Sequence, residues 1–200
     1  MVRYHLQDEY ENKSLILGRF FWKLGVSPDV LTLLSLPLSL GAAYCIARGR
    51  FILGVIGICL VSLVDILDGA TARAGGTCTP FGTVFDHVVD RYTEFILFAG
   101  VLLSGHVSPL WVMFAITGMI MASYTRAKAE SAGGLKACTV GWVGRTEKLT
   151  LLMLGLILEA TALRFPSLQA SLIVIGLLSH LTTVHRLLYA RTMILKEEVL

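Results

Sequence analysis

Four aspartates lie close together in a stretch of sequence that is otherwise apolar: Asp65, Asp68, Asp86 and Asp90. Spacings of three and four residues place the members of each pair on one face of a helix. A carboxylate near the middle of a bilayer costs about 2.5–3.5 kcal/mol, so four would cost roughly 10 kcal/mol or more. Like charges on one face also repel each other. The simplest compensation is a hard divalent cation bound by the carboxylate oxygens.

The composition around these residues is that of an integral membrane protein. Hydrophobic residues make up 55% of the 200 residues and charged residues 16%, against about 25% charged residues in soluble domains. Residues 1–12 are polar and charged, so we expect no signal peptide. The sequence predicts an all-α membrane protein of one domain over residues 1–200, with a six-helix transmembrane bundle over 29–190. The predicted spans are 29–47, 51–72, 83–105, 107–128, 146–163 and 168–188.

The distribution of basic residues predicts the orientation of the spans. With the N-terminus in the cytoplasm, all but three of the 17 Lys and Arg residues fall on or near the cytoplasmic side, as the positive-inside rule requires. Residues 10–25 combine apolar and basic residues in a pattern typical of an amphipathic interfacial helix. Trp22, Trp111 and Trp142 fall near span ends, where aromatic belts form. We therefore expect a multi-pass protein of the cell membrane whose acidic motif opens to the cytoplasm.

A predicted helix break separates the two aspartate pairs. After Arg73 the sequence reads Ala-Gly-Gly-Thr-Cys-Thr-Pro, a composition that ends helices. Spans two and three should therefore form a hairpin in which the aspartate pairs face each other, one to two turns below the surface. The four cysteines have no metal-type spacing, and we interpret them as reduced packing residues. They are Cys45, Cys59, Cys78 and Cys138.

The aspartates belong to a longer pattern of eight residues at fixed spacing. It reads Asp65-x2-Asp68-Gly69-x2-Ala72-Arg73-x8-Gly82-x3-Asp86-x3-Asp90. This pattern resembles the signature of the CDP-alcohol phosphotransferases, with no departure. The chain length, the six-span layout and the start Ser27-Pro28-Asp29-x2-Thr32 extend the resemblance over nearly the whole chain, although many members have Asn at the position of Asp29.

The resemblance implies a reaction and a role for each residue of the motif. The hydroxyl of a small polar alcohol attacks the β-phosphorus of a CDP-linked lipid, and CMP leaves. Asp65, Asp68 and Asp86 would bind two Mg²⁺ or Mn²⁺ ions, and Asp90 would complete the metal cluster and act as general base. Such ions neutralise a diphosphate and align the attacking and leaving oxygens. The residues implied for the CDP pocket are Thr32, Asp65, Asp68, Gly69, Ala72 and Arg73. The resemblance also implies a homodimer.

Basic residues at the cytoplasmic ends of spans four, five and six indicate an acceptor that carries a phosphate. Arginine clusters bind phosphate bidentately, although the positive-inside rule alone would place single basic residues there. Residues 123–130 and 144–148 resemble the subgroup of the family that uses inositol 1-phosphate, with CDP-diacylglycerol or CDP-archaeol as the lipid donor. By position, Arg126, Arg145 and Arg186 would bind the phosphate of the acceptor. Glycerol 3-phosphate, which is also a phosphorylated alcohol, is the competing acceptor.

A cation transporter is the alternative from another functional class, because intramembrane carboxylates also mark ion pathways. It does not account for Gly69, Ala72 and Arg73 at fixed offsets from the aspartates. An ion-pair network with Arg73 and Arg91 would leave two of the four acids without a base. Metal-dependent release of CMP would separate the enzyme from the transporter. We expect no nucleic-acid partner.

Overall fold

The computed structural model describes residues 15–161 and 165–197, which form helices joined by loops. Helix α1 covers residues 15–23. The helices that follow are α2 (Pro28–Ala47), α3 (Phe51–Gly75), α4 (Pro80–Ser104), α5 (Pro109–Ser131), α6 (Arg145–Ala160) and α7 (Ser167–Glu197). The described ranges contain no β-strand. The all-α prediction is therefore confirmed for them.

Four helices, α2, α3, α5 and α7, are long and apolar enough to cross a membrane. The chain is therefore a multi-pass membrane protein, as predicted. Helix α6 has 16 residues, and α4 carries four charged residues, Asp86, Asp90, Arg91 and Glu94. Neither meets the length and hydropathy that mark a span by composition alone, so the six-span bundle stays a prediction. The predicted interfacial helix over 10–25 begins outside the described residues.

The chain forms two compact units, Met1–Gly100 and Val101–Leu200. The prediction of one domain over the whole chain stays a prediction. In the first unit, the Ser27 hydroxyl accepts a hydrogen bond from Val30 N at 3.3 Å, and Pro28 occupies the first turn of α2. Helix α3 ends at Gly75 and is capped by Gly76, whose φ of 64° lies in the left-handed region that favours glycine. The break between the aspartate pairs lies where the sequence predicted it.

Glycines allow the helices of the first unit to approach each other at backbone distance. A Cβ added at Gly57 would lie 2.5 Å from the Cβ of Ala42, and one at Gly100 would lie 2.6 Å from the Cα of Ala43. Such contacts between small residues are typical of membrane helices, which lack a hydrophobic driving force for association within lipid. They pack α3 and the end of α4 against α2.

In the second unit, α7 packs against both α5 and α6. The loop over 132–144 joins α5 to α6 and is fixed by side chains that bind its backbone. Glu130 Oε1 accepts from Cys138 N at 2.9 Å, and Arg186 Nε donates to Val140 O at 2.8 Å. The hydroxyl of Thr182 accepts from Trp142 N at 3.1 Å. The loop therefore has a defined conformation without regular secondary structure.

All four cysteines are reduced, as predicted. Cys138 is fully buried in an apolar cluster with Ala129, Leu135 and Ala190, and burial raises the pKa of its thiol above the ordinary value. Cys59 and Cys78 are exposed. The interpretation as packing residues therefore holds for Cys138 and is wrong for Cys78, which lies exposed in the loop after α3. For Cys45 and Cys59, on the apolar helices α2 and α3, it stays a prediction.

Replacing Gly57 by alanine tests the close approach of α2 and α3. The added methyl would overlap Ala42, so we expect Gly57→Ala to lower the free energy of unfolding by about 1–3 kcal/mol. Gly41→Ala is the matched control, because no atom lies within 4 Å of a Cβ at that position of α2. The measurement is thermal unfolding of the purified variants in one detergent. Equal melting temperatures for the two variants would contradict the packing described.

Candidate functional site

Three of the four motif aspartates meet in the first unit. Asp65 and Asp68 lie on successive turns of α3, and Asp86 lies on the second turn of α4. One carboxylate oxygen from each lies within 4.8 Å of the others. Asp68 is buried, whereas Asp65 and Asp86 are partly accessible. Carboxylate oxygens in this arrangement are the donors that Mg²⁺ and Mn²⁺ prefer, so the residues fit the predicted divalent metal.

Asp90 is not a member of this group of three carboxylates. It is buried one turn beyond Asp86 on α4, and its predicted roles as metal ligand and general base stay predictions. One turn further along α4, Glu94 is buried and forms an ion pair of 2.5 Å with Arg91. Arg91 therefore pairs with Glu94. This pairing weakens the interpretation of the aspartates as part of an ion-pair network with Arg91.

Thr32 connects α2 to the acidic group. Its hydroxyl donates a hydrogen bond of 2.6 Å to Oδ2 of Asp68, and the Thr32 side chain is buried. The backbone carbonyl of Thr32 in turn accepts from Ser35 Oγ at 2.6 Å. A hydrogen bond of this kind fixes the orientation of a carboxylate that binds metal. Thr32, which the sequence analysis predicted as a residue of the CDP pocket, therefore positions the Asp68 carboxylate.

A cavity of about 450 Å³ adjoins the acidic group, a volume within the range of about 300–1,000 Å³ that is usual for ligand sites. Five of the six residues predicted for the CDP pocket line it: Thr32, Asp68, Gly69, Ala72 and Arg73. Asp65 is not among the lining residues. The cavity is also lined by Trp22, Ser27, Pro28, Asp29, Thr77, Cys78, Thr79, Gly82, Thr83 and Asp86.

Two helix N-termini contribute to the wall of the cavity. Helix α2 begins there with Pro28, and α4 begins there after Thr79, whose hydroxyl accepts from Gly82 N at 2.9 Å. The N-terminus of a helix favours negative charge, because its first N–H groups have no partner within the helix. Together with the Arg73 guanidinium and metal held by the carboxylates, these helix starts suit an anion such as a diphosphate.

Absent side chains keep the cavity open beside α3. A Cβ at Gly69 would lie 3.1 Å from Nη1 of Arg73, and one at Gly82 would lie 3.1 Å from Oγ1 of Thr79. A side chain at either position would require the guanidinium or the cap of α4 to shift by a few tenths of an ångström. The fixed glycines of the motif therefore preserve space next to the charged groups.

Of the cavity residues that the sequence analysis did not predict, some have a recognisable sequence signal and others have none. A threonine directly before Pro80 is a helix-capping signal, so Thr79 could have been found from the sequence. Trp22 has no comparable local signal, and its interpretation as an aromatic-belt residue did not anticipate a place in the cavity wall. It reaches the cavity because α1 packs on α3, which is a tertiary contact.

The three predicted acceptor arginines lie in the second unit, at or near helix ends. Arg145 is the first residue of α6 and is half-buried. Arg126 Nε donates to Glu130 Oε1 at 3.0 Å. Arg186 donates from Nε to Val140 O at 2.8 Å and from Nη1 to Ala122 O at 2.7 Å. At least two of the five guanidinium donors of Arg186 therefore stabilise the fold around the 132–144 loop.

Comparison with known proteins gives a match along most of the chain. The family model described as CDP-alcohol phosphatidyltransferase matches residues 25–187. The chain is 30% identical over 168 residues to the archaetidylinositol phosphate synthase of Methanothermobacter thermautotrophicus, covering 84% of each chain. It is 27% identical over 175 residues to the enzyme of the same name from Pyrococcus horikoshii, covering 88% of this chain and 89% of the relative.

Solved structures show the same similarity. The crystal structure of Mycobacterium tuberculosis phosphatidylinositol phosphate synthase with manganese and citrate matches with a TM-score of 0.79 at 28% identity, covering 90% of this chain and 89% of that one. The crystal structure of the same enzyme with CDP-DAG bound matches with a TM-score of 0.78 at 27% identity, covering 88% of this chain and 92% of that one.

Replacing Thr32 by valine tests whether this residue positions Asp68 for metal. Thr32→Val removes the hydroxyl that donates to Asp68 while keeping the shape of the side chain, so we expect Mn²⁺ affinity to fall by about 10–100-fold. Binding can be followed by the loss of the free Mn²⁺ signal in electron paramagnetic resonance.

Two further variants serve as controls for this titration. Thr32→Ser keeps a hydroxyl and should retain most of the affinity. Ser35→Ala removes a buried hydroxyl that binds only the α2 backbone in the contacts described, and it should bind Mn²⁺ like the unaltered chain. Equal affinity in Thr32→Val and the unaltered chain would show that Thr32 does not position the metal ligand.

Proposed function

The chain belongs to the CDP-alcohol phosphatidyltransferase family, and on that premise we propose that it transfers a phosphatidyl-type group from a CDP-linked lipid to inositol 1-phosphate. The observation that carries the proposal is the group of three carboxylates beside a cavity lined by Gly69, Ala72 and Arg73. The names of the relatives, archaetidylinositol phosphate synthase and phosphatidylinositol phosphate synthase, support inositol phosphate as the acceptor. CDP-diacylglycerol and CDP-archaeol are the two candidate donors.

The donor diphosphate would lie in the cavity, where Arg73 and the starts of α2 and α4 attract negative charge. Asp65, Asp68 and Asp86 would hold the divalent ions, with Thr32 fixing the orientation of Asp68. When bound, two Mg²⁺ or Mn²⁺ ions neutralise the diphosphate and the charge that develops on the leaving phosphate. The relative crystallised with manganese supports this choice of metal.

The proton of the attacking hydroxyl needs an acceptor, and we assign it to Asp90. The hydroxyl oxygen forms a bond to the β-phosphorus, the bond from that phosphorus to the bridging oxygen breaks, and CMP leaves with the bonding electron pair. Asp90 takes the hydroxyl proton as the new bond forms. This role follows from the position of Asp90 at the end of the motif and on the α4 turn after Asp86.

The phosphate of the acceptor would be bound by Arg126, Arg145 and Arg186. Guanidinium groups suit this task because their planar donors match phosphate oxygens bidentately. Arg186 would bind the phosphate in addition to its structural role. Its hydrogen bonds to the backbone carbonyls of Val140 and Ala122 fix its side chain. A side chain that is fixed before the acceptor binds loses little conformational freedom when it binds.

Exposed apolar faces support the proposed placement of α4 and α1 in the membrane. Side chains at helical spacing along α4 are exposed and apolar or aromatic, and they would face lipid if α4 crosses the membrane despite its acidic residues. They are Phe81, Val84, Val88, Tyr92 and Phe95. Helix α1 likewise exposes Ile16 and Phe20 beside the basic Arg19 and Lys23, which suits the membrane interface.

From the exposed apolar faces of α4 and α1 we propose a complete membrane topology. Six helices, α2 to α7, would cross the cell membrane as one domain, and α1 would lie in the cytoplasmic interface. The positive-inside distribution supports a cytoplasmic position for the break between α3 and α4, and with it for the cavity. A homodimer is the assembly that the family resemblance implies.

The experiment that tests the proposed function is CMP release by the purified chain in lipid. CDP-diacylglycerol and CDP-archaeol are supplied with Mg²⁺ or Mn²⁺, and inositol 1-phosphate, glycerol 3-phosphate, inositol and serine are added one at a time. We expect CMP with inositol 1-phosphate alone, and none after EDTA or in Asp68→Asn. CMP with glycerol 3-phosphate alone would keep the reaction type and refute the acceptor. Metal-dependent cation flux without CMP release would favour a transporter.

Removing Arg145 tests the acceptor site separately from the donor site. Loss of a hydrogen bond to a charged group costs about 1.5–3 kcal/mol, so we expect Arg145→Ala to raise the KM for inositol 1-phosphate about 10–100-fold. The KM for the CDP-lipid should stay within about twofold, because the donor cavity is built from other residues. Lys136→Ala, which removes an exposed cation from the 132–144 loop, is the matched control. A change in the donor KM alone would contradict the assignment.

Replacing Asp90 by asparagine separates a general base from a metal ligand. If Asp90 takes the proton, Asp90→Asn should lower kcat by about 10²–10⁴-fold and leave Mn²⁺ affinity unchanged. Loss of Mn²⁺ binding together with activity would identify Asp90 as a ligand. Near-normal turnover would refute both roles. The measurements are steady-state CMP release and a Mn²⁺ titration on the same preparation.

A further inference from the structure

We propose that Trp22 of α1 is a donor-binding residue, and that its indole ring forms the wall against which the cytidine of the CDP-lipid packs. The inference rests on the proposed function, because it assumes that a CDP-linked lipid enters the cavity. Trp22 lies outside the family motif, on a helix that would otherwise serve only as a membrane-surface element. Its side chain lines the cavity together with Gly69, Ala72 and Arg73.

Helix α1 is held against the cavity by two glycine contacts with α3. A Cβ at Gly18 would collide with the backbone carbonyl of Ala70, so the two helices touch there at backbone distance. One turn further along α1, the benzene ring of the Trp22 indole lies against Gly75, where an added Cβ would be 2.6–2.8 Å from three ring carbons. The position of the indole is therefore fixed by packing on the backbone of α3.

The separation along α3 between the acidic group and the place where Trp22 packs suits a nucleoside. The Trp22 indole packs on Gly75. Gly75 follows Asp68 by seven residues on α3, which is about 10 Å along the helix axis. In a CDP-linked lipid the nucleoside and the lipid are attached to opposite ends of the diphosphate, so they extend from it in opposite directions. Because the lipid chains must extend into the apolar span of α3, the nucleoside extends towards the end of that helix at Gly75, where Trp22 lies.

The exposure of Trp22 leaves ring surface available to a ligand. The side chain is 42% exposed, although one side of its ring is packed against Gly75. A base that covers the indole removes apolar surface from water and gains a stacking contact, which is worth about tenfold or more in affinity. Because every base has a π-face, the contact supplies affinity for the nucleoside and does not by itself select cytosine.

Fluorescence tests the contact without turnover. In the variant Trp111→Phe/Trp142→Phe, Trp22 is the one tryptophan of the chain, and CMP with Mg²⁺ is titrated into the protein in detergent. We expect saturable quenching of the Trp22 emission by CMP, and a much smaller change with ribose 5-phosphate, which lacks a base. Emission that does not respond to CMP, while equilibrium dialysis shows CMP bound, would overturn the proposal.

Kinetics separate a ligand contact from a structural role of Trp22. We expect Trp22→Ala to raise the KM for the CDP-lipid about tenfold, with kcat and the KM for inositol 1-phosphate within about twofold. Trp22→Phe, which keeps an aromatic ring, should recover most of the loss. Phe20→Ala is the matched control, because Phe20 lies on the same helix, is 59% exposed and does not line the cavity.

Two kinetic results would overturn the proposal. The first is a donor KM for Trp22→Ala equal to that of the unaltered chain. The second is an equal loss of kcat in Trp22→Ala and Trp22→Phe with KM unchanged, which would show a structural role alone. An unaltered chain that binds CMP next to Trp22 and releases no CMP from a CDP-lipid would refute the proposed reaction and leave the nucleoside contact standing.

Discussion

Repulsion among three carboxylates is the constraint on which the first unit depends. Oxygens of Asp65, Asp68 and Asp86 lie within 4.8 Å of one another, on helices that are otherwise largely apolar. Like charges at this distance and in such surroundings need hydrogen-bond donors or cations to offset them. The Thr32 hydroxyl supplies one donor to Asp68, and a divalent metal held by the three carboxylates would supply the positive charge. A helix pair assembled for packing alone would not concentrate acids in this way.

The close helix contacts of the first unit serve this arrangement. Gly57 brings α3 against α2 at Ala42, and the same pair of helices carries Thr32 to Asp68 two turns from the end of α3. Gly18 and Gly75 then bring α1 against α3, which places Trp22 at the wall of the cavity. Small residues thus determine the positions of the larger side chains that line the cavity.

Much of the site could be predicted from the sequence because its signals are local. Glycines and a proline after Arg73 predicted the helix break, Ser27 predicted the start of α2, and the spacing of Asp65 and Asp68 predicted a shared face. Which acids meet across the break depends on the relative rotation of two helices, which spacing does not determine. The sequence therefore did not distinguish Asp90 from the three that cluster. The backbone contacts of Arg186 depend in the same way on the path of a loop distant in sequence.

The most direct test of the metal site is a crystal structure of the protein grown with Mn²⁺ and CMP, with data collected for anomalous scattering. The arrangement of carboxylates predicts anomalous density bonded to oxygens of Asp65, Asp68 and Asp86, next to the phosphate of CMP in the cavity lined by Arg73. Asp68→Asn crystals grown in the same way should lose that density. Mn²⁺ bound elsewhere in the chain, with none at these three residues, would contradict the assignment of this group as the catalytic metal centre.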